Sequence, residues 1–403
     1  MVDSHLTFTG FRDRRIHLGV TGSIAAFKAL DLLRDWKRAG IQVGASLTES
    51  AQEFVTPLSM QALGADPVDT KLFPAGDNVY AHLAPGQGAH CYAIAPATAN
   101  ILAKLAYGLA DDVVSCQVLA HPGPIIVAPA MNPNMWLNPA VQENWQKLQE
   151  RFMICLAPDS GEVACGDMGT GRLARHELIF LHGLKALSPQ DLSGTRVLVT
   201  LGPTREYFDP VRFWSNPSSG TMGASIAVAA WLRGADVTAI CGPVSLWLPP
   251  GIHRISVTSA VEMHEAATDI WPSADVAVCT AAVADFAPKP YGETKFKKTG
   301  EPLQVEFSAN PDIIAALSNT RHVRQRIIGF AAETGDLAQL AREKRERKGM
   351  DIIVANHVLT PGAGFAAPTN EVTVIDANGR EESWPTLPKT EVAWRLLDWL
   401  SLL

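Results

Sequence analysis

A chain of 403 residues exceeds the size at which a single hydrophobic core stops growing, so two or three domains are expected, each able to bury a core. Charged residues make up 19%, and 41 acidic against 34 basic side chains leave a net charge of −7, which excludes the basic footprint of a nucleic-acid binder and points to small-molecule partners. The six cysteines, Cys91, Cys116, Cys155, Cys165, Cys241 and Cys279, form no C-x-x-C pair and sit mostly in apolar runs, unlike a disulfide framework or a zinc site. A reducing cytoplasm fits this usage. With no apolar h-region before the first strand and no run of membrane-spanning length, a soluble, unsecreted protein without a membrane partner is expected.

An apolar strand from Ile16 runs into the turn Gly19-Val20-Thr21-Gly22-Ser23; residues 24–39 read as a helix halted by Gly40, and 41–47 as the next strand. Buried-strand runs then alternate with helical patterns at 92–95, 101–109, 124–128 and 139–151, the rhythm of a parallel, doubly wound sheet. Residues 186–195, rich in Ser, Pro, Asp and Gly, mark a boundary and give domains 1–188 and 189–403. There the opening repeats: strand 197–201, the turn Gly202-Pro203-Thr204, a polar insert, then Ser218-Ser219-Gly220 opening a helix that stops near Gly234 before strand 237–240. Strands at 276–279, 327–330, 352–355 and 371–375 and an amphipathic helix at 390–403 complete an α/β chain of two Rossmann-like domains with mainly parallel sheets. Ligands of such sheets bind at the carboxyl ends of strands, where helix starts present free N–H groups, so two phosphate-bearing ligands are expected.

Three strand ends in the first half carry unusual residues: Thr21 to Lys28 (TGSIAAFK), Ala95 to Asn100 (APATAN) and Pro129 to Trp136 (PAMNPNMW). With His82 and Ala164-Cys165-Gly166-Asp167, they resemble, in order, the flavin-dependent cysteine decarboxylases, specifically phosphopantothenoylcysteine decarboxylase. The resemblance implies a flavodoxin-like domain holding FMN through Gly22, Ser23, Ile24, Thr48, Pro96, Ala97, Thr98, Asn100 and Met131, with substrate at Asn132 and Met135. It further implies that the flavin oxidises the substrate thiol so that CO2 can leave, and then returns the hydride. Cys165, on a Gly-rich loop at 161–171, would supply the proton; His82 would assist early proton transfer or hold the carboxylate, and Asn132 would bind that carboxylate. His82 is followed by Leu83-Ala84-Pro85 where the family more often keeps an apolar and acidic pattern.

In the second half the insert holds Arg205, Arg212 and Asn216, and guanidinium forks suit phosphate or carboxylate. Ala281 to Asp285, Lys295 to Lys298, Asn310 to Ile313, Gly329 to Thr334, Lys344 and Lys348 then follow in an order that resembles phosphopantothenate–cysteine ligase, and the whole chain resembles the bacterial fusion of decarboxylase and ligase. The implied reaction activates the 4'-phosphopantothenate carboxylate with CTP as an acyl-cytidylate, which the cysteine amine displaces; Mg²⁺ and lysines would neutralise the triphosphate. Arg212, Asn216 and the flap lysine Lys295 would be catalytic. Ser218, Ser219, Gly220, Ala281, Ala282, Asp285, Pro311, Asp312, Ile313, Ile314, Phe330, Lys344 and Lys348 would bind substrates, with Asp285 on the metal. Thr221 stands where the family often has Lys, and His357 where an acidic residue is common; no role is assigned to His357. The resemblance also implies homo-oligomers, trimer-based for the first domain and dimeric for the second. The rival readings are a flavin-binding regulatory protein and a dinucleotide-dependent reductase, the latter opposed by the absence of G-x-G-x-x-G after either opening strand.

Overall fold

All seven residues of the strand Cys91–Ala97 are buried, as required where helices cover both faces of a sheet. The structure, a computed structural model, describes residues 2–73, 80, 82–164, 166–298, 300, 302–333, 337–357 and 367–402. Its contacts divide the chain into two units: Phe8–Ser188 with Met1–Val2, and Pro189–Leu403 with Asp3–Thr7.

The first unit carries β1 (Arg15–Val20), β2 (Gln42–Leu47), β3 (Val68–Asp69), β4 (Cys91–Ala97), β5 (Ile125–Pro129) and β6 (Ile154–Cys155) in the spatial order β3-β2-β1-β4-β5-β6, every pairing parallel. The order reverses between β1 and β4, which opens a crevice at their carboxyl ends. Two local expectations are corrected. Residues 24–39 are not one helix: Ser23 caps a 3₁₀ turn, Ile24–Phe27, before the α-helix Lys28–Arg38, because the Ala26 and Lys28 N–H groups close i→i+3 bonds to Ser23 and Ala25. The Gly-rich segment at 161–171 is a loop only in its middle: its two ends pair as an antiparallel ribbon of β7 (Asp159–Glu162) and β8 (Met168–Arg172).

A buried polar chain lies within this unit. His17 Nε2 and the Ser46 hydroxyl are 2.7 Å apart, Ser46 donates to Gln117 Oε1 (2.6 Å), and the Tyr92 hydroxyl donates to the same oxygen (3.1 Å). Burial pushes His17 down to about 3 and His182 to about 4. Both imidazoles are therefore neutral when folded, whereas the unfolded chain protonates them below about 6.5. Unfolding then takes up protons, so stability falls as pH drops from 7 to 5, by about 2 kcal/mol per histidine. A melting temperature clearly lower at pH 5 than at pH 7, with part of the difference removed by His17→Gln, is expected; equal melting at both pH values would refute it.

The second unit carries β9 (Arg196–Leu201), β10 (Arg205–Tyr207), β11 (Phe213–Ser215), β12 (Asp236–Cys241), β13 (Ile252–Ser256), β14 (Val276–Cys279), β15 (Phe286–Pro288), β16 (Phe307–Ala309), β17 (Arg326–Glu333), β18 (Ile352–His357), β19 (Thr369–Asp376) and β20 (Glu381–Pro388). Its main sheet runs β13-β12-β9-β14-β17-β18-β19-β20, parallel through β18 and antiparallel for the last two strands. Here the order reverses between β9 and β14. The polar insert after β9 folds as the hairpin β10-β11, and β15-β16 form a second ribbon. The helix Thr221–Leu232, buried from Gly223 onward, starts after left-handed Gly220 and packs against the closing helix Lys389–Leu400. Among the described residues no helix is long and apolar enough to cross a membrane.

Candidate functional site

In the first unit the Thr21 hydroxyl donates to the Pro96 carbonyl (2.7 Å) and accepts from the Thr98 N–H (3.0 Å), which ties the turn after β1 to the turn after β4. Over this junction lies a cavity of about 690 Å³ that includes Gly22, Ser23, Ile24, Phe27, Lys28, Thr98, Met131, Asn132, Met135 and Arg172 in its lining. Ser23 and Thr98 each use a hydroxyl to cap a helical turn, accepting from Ala25 (3.3 Å) and Ile101 (3.4 Å). The Thr48 hydroxyl caps the 3₁₀ turn Glu49–Glu53 and lies outside the lining, as do Pro96 and Ala97, buried at the end of β4, and Asn100, exposed on the helix Ala99–Tyr107.

Glycine backbone shapes both walls. A Cβ on Gly22 would fall on Ser50, and one on Gly171 would fall on the carbonyl oxygen of Met131. A cavity so shaped, apolar along Ile24, Ala25, Phe27, Ala130 and Leu173 and hydroxylic at Ser23 and Thr98, fits a flat ring system with a polar tail. Asn132 caps the short helix Pro133–Trp136 through Oδ1, and its Nδ2 donates to Asp167 Oδ2 at 2.6 Å. A carboxylate thus already occupies the donor expected to meet a substrate carboxylate. His82 is not brought to this cavity; its ring lies 5.3 Å from that of Phe73, and its buried Nδ1 has no partner among the described residues. Cys165 lies outside the described residues.

In the second unit a cavity of about 460 Å³ sits at the carboxyl ends of β9 and β14. Its lining includes Asn216, Ser218, Ser219, Gly220, Ala281, Ala282, Asp285, Pro311, Asp312, Ile313, Ile314, Phe330, Lys344 and Lys348. Asn216 Nδ2 donates to the carbonyls of Ala282 (3.3 Å) and Val283 (3.1 Å) and so fastens the insert to the end of β14. Lys348 pairs with Asp312 at 3.0 Å. Burial alone would raise the Asp312 carboxyl, but the Ala315 N–H and the Lys348 ammonium hold it below the usual carboxylate range.

Arg212, Arg205 and Lys295 lie outside the lining. Arg212 donates to Asp209 Oδ2 (2.9 Å) and to the Phe296 carbonyl (3.2 Å), while Arg205 stacks 4.7 Å from the Phe213 ring centre. Lys295 is exposed beside Phe296, whose N–H donates to the same Asp209 oxygen at 3.0 Å. Buried Asp209 thereby joins the arginine to the lysine segment, a role that no short motif announces. The sequence reading also missed Thr200, Thr280, Asn356, Asn370 and Lys389 of the lining. Asn370 and Lys389 stand far along the chain, and the lysine opening an apolar helix was their only local signal. Among the described residues no three His, Cys, Asp or Glu side chains gather as a metal cage. The carboxylates of Asp285 and Asp312 fit a hydrated Mg²⁺ only if nucleotide phosphates supply further ligands.

Residues 9–181 match the family described as Flavoprotein, and residues 192–403 match the DNA/pantothenate metabolism flavoprotein C-terminal domain. The coenzyme A biosynthesis bifunctional protein CoaBC of Vibrio cholerae is 41% identical over 383 residues, 94% of this chain and 96% of that protein. The chain belongs to the CoaBC family. The CoaBC of Escherichia coli K12 is 41% identical over 371 residues, 91% of each chain, and that of Bacillus subtilis is 40% identical over 396 residues, 97% of each. A solved C-terminal domain of a CoaBC is 37% identical, covering 53% of this chain and 97% of that one, at a TM-score of 0.46. Membership spans both halves, so the flavoprotein unit and the second unit are parts of one family pattern.

Proposed function

We propose that the chain is a bifunctional coenzyme A biosynthesis enzyme: residues 189–403 join 4'-phosphopantothenate to cysteine with CTP, and residues 1–188 decarboxylate the product to 4'-phosphopantetheine. The observation that carries this reading is the contrast between two cavities at equivalent strand-order reversals, one apolar with hydroxyl caps, the other rich in lysine and amide groups. Bound FMN would supply hydride acceptance and return in the first. There Ser23 and Thr98 would hold the cofactor by their hydroxyls, Asn132 would exchange Asp167 for the substrate carboxylate, and Cys165 would deliver the proton that quenches the carbon left by CO2. His82 lies away from its own chain's cavity, which favours a homo-oligomer in which a second copy completes the site. In the second cavity Asn216 and the Ser218-Ser219-Gly220 turn would orient the carboxylate and nucleotide and Asp285 would serve Mg²⁺, while Arg212 and Lys295, outside the lining, would close over them on binding. The cytoplasm, where both reactions find their small-molecule substrates, is the proposed location.

The test is to incubate the purified protein with 4'-phosphopantothenate, cysteine, Mg²⁺ and either CTP or ATP, following CMP or AMP and CO2 separately. Formation of CMP with CTP, matched by CO2 release, is expected. No nucleotide turnover, or CO2 release that requires NAD(P)H, would overturn the reading.

A further inference from the structure

We propose that Lys389, assisted by Asn370, holds a substrate phosphate against the N-terminal end of the helix Thr221–Leu232, as a binding residue of the ligase reaction beyond those the motifs supply. This rests on the ligase reading above.

Lys389 is only 4% exposed and yet lines the second cavity, which sets a buried cation in the wall of a site open to small molecules. Burial lowers its ammonium to about 8. An anion entering the cavity would favour the charged form and be held by it, since opposite charges attract more strongly where water is excluded. Asn370, 3% exposed, lines the same cavity; its Nδ2 approaches the Met222 sulfur at 3.5 Å, and its buried Oδ1 has no partner among the described residues. An acceptor so placed suits a hydroxyl or amide N–H carried next to a phosphate ester.

The third component is backbone. The helix Thr221–Leu232 starts after Gly220, at φ +75°; Ser219 Oγ accepts from the Thr221 N–H at 3.5 Å, and Gly220 to Gly223 line the cavity, so the positive end of the helix borders it. The helix Lys389–Leu400 packs against Thr221–Leu232, and Lys389 shares the cavity lining with Gly220 and Thr221. The other cations of the lining are Lys344 and Lys348. Both CTP and 4'-phosphopantothenate carry a phosphate ester with a nearby hydroxyl, and kinetics tells them apart.

The experiment measures ligation rates of the full-length protein while CTP, 4'-phosphopantothenate and cysteine are varied in turn. Lys389→Met keeps the length of the side chain without its charge. It is expected to raise the KM of one phosphate-bearing substrate tenfold or more, leaving that of cysteine within twofold, and Lys389→Arg is expected to recover most of the loss. The substrate whose KM rises is the one whose phosphate Lys389 holds. KM values within twofold of wild type for both, or a common loss for all three substrates with a lowered melting temperature, would overturn the proposal. If Lys389→Met does not fold, Asn370→Asp, which sets a negative charge beside the phosphate, must raise the same KM; an unchanged KM is equally fatal. A wild-type protein that forms no amide with CTP overturns the ligase reading itself.

Discussion

Gly171→Ala is expected to cut CO2 release at least a hundredfold and to lower flavin retention, while ligation continues at the wild-type rate. The new Cβ would lie on the Met131 carbonyl oxygen, a backbone atom with no rotamer to escape into. The two residues are also bound directly, the Met131 N–H donating to the Gly171 carbonyl at 2.9 Å, so neither strand end moves alone. Overpacking of this kind costs about 1–3 kcal/mol. The larger effect is on geometry, because Asn132 and Met135 follow Met131 and a shift of about 1 Å at a reacting centre can cost about a hundredfold in rate. Flavin absorbance after gel filtration and CO2 release from added 4'-phosphopantothenoylcysteine measure the two effects. Wild-type values for both would show that this wall does not shape the flavin site.

Asp209→Ala is expected to lower ligation by about a hundredfold or more and to leave decarboxylation unchanged. One Asp209 oxygen accepts from the N–H groups of Val211 and Arg212, both at 2.8 Å, and the other from Arg212 Nη1 and the Phe296 N–H. Burial alone would raise this carboxyl, but the Val211, Phe296 and Arg212 N–H groups and the Arg212 charge hold it below the usual carboxylate range. Its loss frees Arg212 and the segment carrying Lys295 together. Asp209→Asn, which keeps an acceptor but not the charge, should fall between alanine and wild type. Lys295→Ala should leave Asp209 and Arg212 in place and slow only the consumption of the acyl-cytidylate, so that this intermediate accumulates. Wild-type ligation by Asp209→Ala would separate the arginine and the lysine segment from the reaction.

How much was legible depended on whether the determinants were close in the chain. The strand 276–279 is found as read, and the helix read at 139–151 is Pro139–Glu150, because continuous apolar runs and helical periodicity are local signals. β20 escaped because Glu381–Pro388 is mostly exposed and reads as a polar loop; only its pairing with β19 makes it a strand. The hairpin β10-β11 escaped for the same reason. In the first site the hydroxyls of Ser23 and Thr98 could be picked out as strand-end groups, but their capping bonds and the linkage of Thr21 to Pro96 became visible only in three dimensions.

The sequence by itself determined the doubling of the scaffold, the strand ends that carry chemistry and the family to which they point, since each is written in contiguous residues whose periodicity and turn chemistry act over a few positions. The tertiary structure decided which of those residues share a cavity. It set Arg212 on Asp209 rather than in the cavity lining, kept His82 apart from Asn132, and brought Asn370 and Lys389 to the start of a helix more than a hundred residues earlier. The physical reason is that burial and charge pairing depend on which elements pack together, and packing joins residues whose separation along the chain carries no local trace.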